Sequence, residues 1–172
     1  MKKTLYSAMG ALSIISLLLT PCAMALADNK VSATVQVKTI SVSVSDGVVD
    51  YGIMAANAIQ DTTASGVDNT QAATNDGNVA EDFTVSGANT TGCVWSLKTT
   101  QGADQYFHKF STDSGSTWTP LTITLGTPDE ISLASNVAAA GHQDFDLQIG
   151  VPTSSSCSTT ATSVVTVTAS EH

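Results

Sequence analysis

The chain has 172 residues and a formal net charge of −9, with six lysines, no arginine and fifteen carboxylates. Nucleic-acid affinity comes from neutralising phosphates, and anionic membranes attract clustered basic residues, so this balance argues against both as partners. The length suits one domain with a sizeable hydrophobic core.

Residues 1–27 have the organisation of a secretory signal. Two lysines precede a short apolar stretch, and Ala25 and Ala27 supply the small residues that a signal peptidase requires. The stretch is shorter than the roughly 20 residues that span a bilayer. We expect cleavage after Ala27 and export of residues 28–172 as a single domain that is not held in a membrane. A lipoprotein signal lipidated at Cys22 is the alternative, which the proline before that cysteine disfavours.

Beyond the signal, apolar residues recur at every second position, the pattern of strands with one face on a core. The predicted strands are residues 30–44, 48–54, 71–74, 79–87, 93–98, 105–111, 117–126, 130–134, 145–151 and 163–169. Residues 55–70 lack a pattern and are expected to form a surface connection. This spacing is typical of a sandwich or barrel, and we expect an all-β, antiparallel two-sheet sandwich of eight to ten strands.

The first predicted strand changes phase part of the way along. Val31, Ala33, Val35 and Val37 share one face, whereas the apolar residues of segment 40–44 lie on the other, because a shift of one residue exchanges the faces of a strand. Two interpretations stay open. The strand crosses between the two sheets of its own domain, or its first half completes the sheet of a neighbouring subunit by strand donation.

Two cysteines remain after the signal is removed. Cys93 and Cys157 form an even pair in an exported chain, which favours a disulfide. In the chain-entropy model a loop of this length makes such a bond worth roughly 4 kcal/mol. Thiolate catalysis or metal binding would require partners, and no Cys or His cluster supplies them.

No catalytic or metal-binding motif is evident. The histidines lack the spacing of a helical metal site, no serine lies in a nucleophile elbow, and His108 is expected on a sheet surface. We therefore expect neither an enzyme nor a cofactor. Calcium is a minor alternative, either at Asp144 and Asp146 or at the turn 75–78 together with Asp82.

Exposed aromatic rings could bind a sugar. Trp118 lies in a polar stretch and is the best candidate, with Tyr106 as a companion, although packing in the core or at the end of the sandwich is the favoured use of these rings. Trp95 follows Cys93 closely and is expected to pack beside the disulfide.

Four segments, "VVDYGIM", "ATNDGNVAEDFTVSG", "WSL" and "FDLQIGVPTSSS", resemble exported bacterial β-sandwich proteins of the cell surface. The two similar groups are the TasA/camelysin-like subunits of matrix fibres and the WxL cell-wall proteins. Trp95-Ser96-Leu97 matches the W-x-L triplet once, whereas the WxL family carries two. The TasA-like resemblance implies a jelly-roll or Ig-like sandwich whose N-terminal segment pairs with the next subunit.

The expected function is that of a non-enzymatic, secreted or cell-surface structural protein, which self-assembles through its N-terminal strand. Its partners would be further copies of itself or cell-surface components. A carbohydrate- or surface-ligand-binding module is the alternative, and it would use Trp118 and neighbouring loops.

Overall fold

Strands provide all the regular structure of the computed structural model, which describes residues 31–123 and 131–172. No helix in these two ranges is long and apolar enough to cross a membrane. Residues 36–172 form one compact unit, to which Val31–Val35 do not belong. The expected signal helix and its cleavage residues, Ala25 and Ala27, lie outside the described residues.

The described residues contain twelve strands. In chain order they are β1 (Val42–Val44), β2 (Ile59–Asp61), β3 (Gln71–Asn75), β4 (Glu81–Gly87), β5 (Thr91–Gly92), β6 (Ser96–Leu97), β7 (Gln105–Ser111), β8 (Thr119–Pro120), β9 (Ile131–Val137), β10 (His142–Gly150), β11 (Ala161–Thr162) and β12 (Val165–Glu171). The expectation of eight to ten strands was too low, since β2, β5 and β11 lie outside the predicted strands and are too short to show alternation.

The strands pair in three sheets. The largest has the order β1-β3-β10-β7-β6, with β2 also on β10 and β8 also on β7. A second sheet has the order β12-β4-β9, and β5 and β11 form a third. All pairs are antiparallel apart from β6 with β7. The nine-residue β10 runs through the middle of the largest sheet and determines much of its register.

Side chains from the two larger sheets contribute to one hydrophobic core. Its buried members are Ala73, Phe83, Val85, Leu97, Tyr106, Phe110, Leu121, Leu133, Phe145, Leu147 and Ile149. Phe83 and Val85 lie on one face of β4, and Phe145, Leu147 and Ile149 on one face of β10, as strand geometry requires of residues two apart. The prediction of an all-β fold is confirmed.

Two predicted strands do not form as expected. In segment 30–44 only Val42–Val44 is a strand, paired with β3, and residues 31–41 have extended or irregular backbone. The hypothesis that this segment crosses between the sheets of its own domain is therefore wrong for residues 31–41. Segment 48–54 forms no strand, because Gly47 and Gly52 adopt positive φ angles of 66° and 67° that interrupt extended backbone.

Candidate functional site

The N-terminal arm, residues 31–41, exposes the apolar side chains that alternate along it. Val31, Val35 and Val37 are 93%, 95% and 80% exposed, and Ala33 between them is also exposed. Alternation with a period of two predicts that one face of a strand is buried, whereas these valines are exposed. The arm thus has the sequence of a half-buried strand without a sheet covering it.

The base of the arm is held by side chains of the folded unit. The Lys38 ammonium lies 2.6 Å from the Glu171 carboxylate at the end of β12. The amide of Asn78 donates to the Val37 carbonyl at 2.8 Å, and its Oδ1 accepts from the Thr39 N–H at 2.9 Å. These contacts hold residues 37–39 against the β3–β4 turn and the end of β12.

A cleft of about 960 Å³ lies in the same unit. Its lining includes Phe145, Leu147 and Ile149 from β10 together with Val165 and Val167 from β12. Because these residues point inward from the two larger sheets, the cleft is continuous with the core. It is therefore a groove whose apolar floor belongs to the sheets themselves, whereas its lining at residues 155–163 is rich in Ser and Thr.

Strand β12 borders the cleft with an open edge. Within the described ranges β12 pairs with β4 alone, so no strand is hydrogen-bonded to its second backbone edge, although β1 packs near β12. Val165, Val167 and Ala169 alternate along it with exposed polar residues, and these three apolar side chains are only half-buried. An edge with an incompletely covered apolar face is a template for another strand.

One wall of the cleft is segment 47–54, which carries apolar side chains on both sides. Val49, Tyr51 and Met54 pack against the core, while Val48 and Ile53 are 67% and 106% exposed. Two Asx-type turns shape the segment, since Asp46 accepts from the Val48 N–H and Asp50 accepts from the Gly52 N–H. The wall is thus held by local hydrogen bonds instead of strand pairing.

The other wall, residues 155–163, is fixed by the disulfide. Cys93 and Cys157 are bonded, with their Cα atoms 5.9 Å apart, as the sequence predicted. Trp95 lines the cleft and donates from Nε1 to the Ser155 hydroxyl at 3.0 Å. Strand β11, which belongs to the same wall, pairs with β5 over two residues. Trp95 consequently lies beside the disulfide-bonded loop, where the sequence placed it.

His108 lies beneath the cleft, and the expectation that it lies on an exposed sheet surface is wrong. It is 3% exposed, with its Nε2 3.3 Å from the Tyr51 hydroxyl and its Nδ1 3.5 Å from the Ser163 hydroxyl. Burial lowers the pKa of His108 to about 4, and burial, followed by the nearby charges of Asp61 and Asp146, raises the pKa of Tyr51. A neutral imidazole that resists protonation is a weak base for activating Ser163.

The structure does not bring the two predicted sugar-binding rings together on a surface. Tyr106 is fully buried, its hydroxyl donates to the Ala88 carbonyl, and burial raises its pKa to about 12. Tyr106 therefore has the favoured use, packing in the core, and does not form an exposed platform, because both faces of β7 are covered. Trp118 is half-buried and follows a turn organised by Asp113, whose Oδ1 accepts from the Thr117 N–H at 2.9 Å.

The predicted calcium donors are separated or already engaged. Asp82 Oδ1 accepts from the Ser135 hydroxyl and the Asn136 N–H at 2.7 and 2.9 Å, which with the neighbouring His172 lowers the Asp82 pKa to about 2. Asp144 is exposed, whereas Asp146 is 3% exposed and accepts from two threonine hydroxyls. In the part of the chain that the structure describes, no three His, Cys, Asp or Glu residues are grouped to hold a metal.

No family model matches the chain, and neither a curated protein nor a solved structure is significantly similar to it. The resemblance to TasA/camelysin-like and WxL proteins therefore stays a prediction. The site is defined by its own geometry: an uncovered arm, an open strand edge and an apolar cleft.

Proposed function

We propose that the protein is an exported, non-enzymatic structural subunit of a cell surface or extracellular matrix, which assembles by donating its N-terminal arm to a second copy. The donated residues are Val31, Ala33, Val35 and Val37, and the acceptor is the cleft beside β12. One observation carries the proposal: the arm exposes an apolar row, and within the described residues no strand is hydrogen-bonded to the second edge of β12, whose apolar face is only half-buried.

The dimensions of donor and acceptor agree. Residues 31–37 in extended conformation span about 20 Å, at roughly 3.3 Å per residue. Strand β12 also has seven residues, from Val165 to Glu171. A donated strand on this edge would pair its backbone along the full length of β12 and direct every second side chain into the cleft.

Burial of the arm supplies the driving force. Each valine that passes from near-complete exposure to full burial gains about 1.5–3 kcal/mol. The free energy gained by burying Val31, Val35 and Val37 and by forming the backbone hydrogen bonds of a new strand pair must exceed the free energy lost on association. An arm that is held at Lys38 and Thr39 loses less conformational entropy on binding than a free tail.

The charge distribution favours contact between arm and body. Lys30 and Lys38 flank the donated residues, and they are two of the four lysines that follow residue 27. The rest of the chain carries the large acidic excess, including Asp50 in the lining of the cleft. Copies that repel one another through their net charge would thus retain a local attraction at the joint.

Fold and location belong to the same proposal. We infer that the two larger sheets face one another as the layers of a sandwich, of jelly-roll or Ig-like type, since both contribute to one core. The Cys93–Cys157 bond is of the kind that persists in oxidising, extracytoplasmic compartments. An exported subunit of a surface or matrix assembly fits this combination.

The test compares residues 28–172 with a shorter chain, residues 38–172, which keeps the Lys38–Glu171 ion pair and the hydrogen bond from the Thr39 N–H to Asn78. Light scattering and electron microscopy should detect assemblies of the longer chain and monomers of the shorter one. A synthetic peptide of residues 30–38 should bind the shorter chain, and a scrambled peptide should not. Monomeric behaviour of both chains, with no binding of the peptide, would contradict strand donation.

The alternative function, a carbohydrate- or surface-ligand-binding module, is favoured by one feature of the cleft. The rings of Trp95 and Tyr51 both line it, so a sugar would bind there and not at Trp118. Residues 38–172 with an open cleft should then bind an oligosaccharide, and the peptide of residues 30–38 should compete with it.

A further inference from the structure

The apolar floor of the cleft is already covered within the single chain. Phe145, Leu147 and Ile149 line the cleft, yet they are only 2%, 5% and 8% exposed. A valine from a second copy can therefore contact these side chains fully only if a neighbouring segment of the acceptor moves aside.

Residues 48–56, which we call the strap, cover this part of the core without strand pairing. Val49, Tyr51 and Met54 of the strap pack against the core. Within the described residues, no backbone N–H of the strap donates to a backbone carbonyl. The strap is thus held mainly by side chains, whereas β10 beneath it is held by backbone hydrogen bonds to the strands on both of its sides.

In the described part of the chain, two hydrogen bonds join the strap to distant residues. The Tyr51 hydroxyl lies 3.3 Å from His108 Nε2, and Asn69 Nδ2 donates to the Val48 carbonyl at 2.9 Å. A segment with so few connections opens at a much lower free energy than the whole domain unfolds. Local opening of the strap is therefore separable from loss of the sheets.

Both ends of the strap are anchored to the fold. Before it, the Ser45 N–H donates to the Ala72 carbonyl at 2.9 Å, and after it, the Asn57 N–H donates to the Pro152 carbonyl at 2.9 Å. Gly52 lies between these anchors with a φ of 67°, and a Cβ added there would have no atom within 4 Å. The closed strap thus requires a left-handed backbone at a position where a side chain would not collide with anything.

We propose that the strap opens locally between its two anchors while the sheets stay folded, and that this opening uncovers the cleft floor for the arm of a second copy. The identity of the incoming strand rests on the proposed function, whereas the opening is a property of the single chain. A strand that binds only the open form has its apparent affinity reduced by the fraction of open molecules. The closed strap therefore restrains assembly of free subunits.

The test measures how fast a buried thiol reacts with iodoacetamide in the chain of residues 38–172. Ile149→Cys places the thiol on the cleft floor opposite His108, and Val85→Cys places it in the core on β4, outside the cleft lining. Ile149→Cys should react faster, because it requires opening of the strap alone. Gly52→Ala should accelerate this reaction by roughly 5- to 30-fold, through the strain of a side chain in left-handed backbone, and should leave the Val85→Cys rate unchanged.

Two further substitutions complete the experiment. Ile53→Ala removes a fully exposed side chain of the strap and should change neither rate. Tyr51→Phe removes only the hydroxyl that lies against His108, so it should also accelerate Ile149→Cys and replaces Gly52→Ala if that variant fails to fold. Equal rates for Ile149→Cys and Val85→Cys, or no acceleration by Gly52→Ala or Tyr51→Phe, would overturn the opening of the strap.

Binding of the peptide of residues 30–38 separates the strap from strand donation. Gly52→Ala should bind this peptide more tightly than the wild type, by the factor by which the thiol reaction accelerates. Equal affinity of both chains for the peptide would overturn opening as a requirement for binding, while strand donation would stand. The expected thiol rates without any peptide binding would contradict strand donation and would support the opening of the strap.

Discussion

The hydroxyl of Tyr51 lies 3.3 Å from Nε2 of His108, with the two rings 6.2 Å apart and nearly perpendicular. This contact joins segment 47–54, which has no strand pairing, to β7 in the largest sheet. It also buries an imidazole beneath the cleft, where burial lowers the pKa of His108 to about 4. The wall of the cleft therefore depends on His108 being neutral.

Acidification should destabilise the fold through His108. In the unfolded chain the imidazole has a pKa of about 6.5, so the unfolded state takes up a proton first as the pH falls. The stabilisation is present above pH 6.5 and is lost progressively towards the folded pKa of about 4. The expected loss between those values is about 3 kcal/mol in the free energy of unfolding, measured by urea denaturation.

The variant His108→Gln provides the control, because it cannot titrate. It should be less stable at pH 7 and should lack the decline between pH 6.5 and 4. Asp82 and Asp113 also lose stabilisation on acidification, but their pKa values of about 2 place that loss at lower pH. A wild-type free energy that stays constant from pH 7 to 4 would contradict this role of His108.

A substitution in the core should lower the stability of the fold, whereas a substitution in the arm should weaken assembly. Phe83 is fully buried, so Phe83→Ala should lower the free energy of unfolding by about 3–5 kcal/mol. Val35 is 95% exposed, so Val35→Ala should leave the Tm of the single chain unchanged while weakening assembly. Thermal unfolding and light scattering of the same samples measure both effects. A large loss of Tm in Val35→Ala would mean that the arm belongs to the fold of its own chain.

Alternation predicted the long strands well because their burial follows it. Strands β4 and β10 carry apolar residues two apart along a buried face, and β12 shows the same period with its apolar face half-covered. In segment 48–54 the apolar residues suggested a strand, but the turns at Gly47 and Gly52 override that preference. Local turn chemistry therefore decides where alternation alone is ambiguous.

The site was less predictable, since it depends on contacts between distant parts of the chain. Nothing in the sequence around His108 indicates that Tyr51 and Ser163 meet its ring. The sequence left two uses open for Tyr106, because β7 lies between β10 and β6 with both faces covered and its pattern does not distinguish inside from outside. The cysteine pair was predictable, because only two cysteines follow residue 27.

Loss of the disulfide should increase the mobility of one wall of the cleft, whereas the sheets should stay ordered. The bond closes a sequence separation of 64 residues, so replacing Cys93 and Cys157 by Ala should cost about 2–5 kcal/mol in stability. Hydrogen exchange should increase most in residues 155–163, whereas β4 and β10 keep their protection. The wild-type chain with reductant should reproduce the result, and unchanged exchange in the loop would show that other contacts hold the wall.

The register of the donated strand gives the most specific prediction. If every second residue of the arm enters the cleft of a second copy, a charge at Val35 must be buried, whereas a charge at Gln36 stays in water. Val35→Asp should therefore abolish assembly, and Gln36→Asp, with the same change in side-chain charge one residue away, should reduce it slightly or not at all. Light scattering at equal protein concentration measures both.

A complementary substitution tests the acceptor side. Val167 lies half-buried on β12 in the cleft lining, so Val167→Thr removes apolar surface from the acceptor while preserving a β-branched strand residue. It should weaken binding of the peptide of residues 30–38 to residues 38–172 by about tenfold, the loss expected when one buried methyl contact is replaced by a hydroxyl. The exposed neighbour Thr168→Ser should bind the peptide as the wild type does. Equal effects at Val35 and Gln36, or at Val167 and Thr168, would be incompatible with a strand that inserts one face into the cleft.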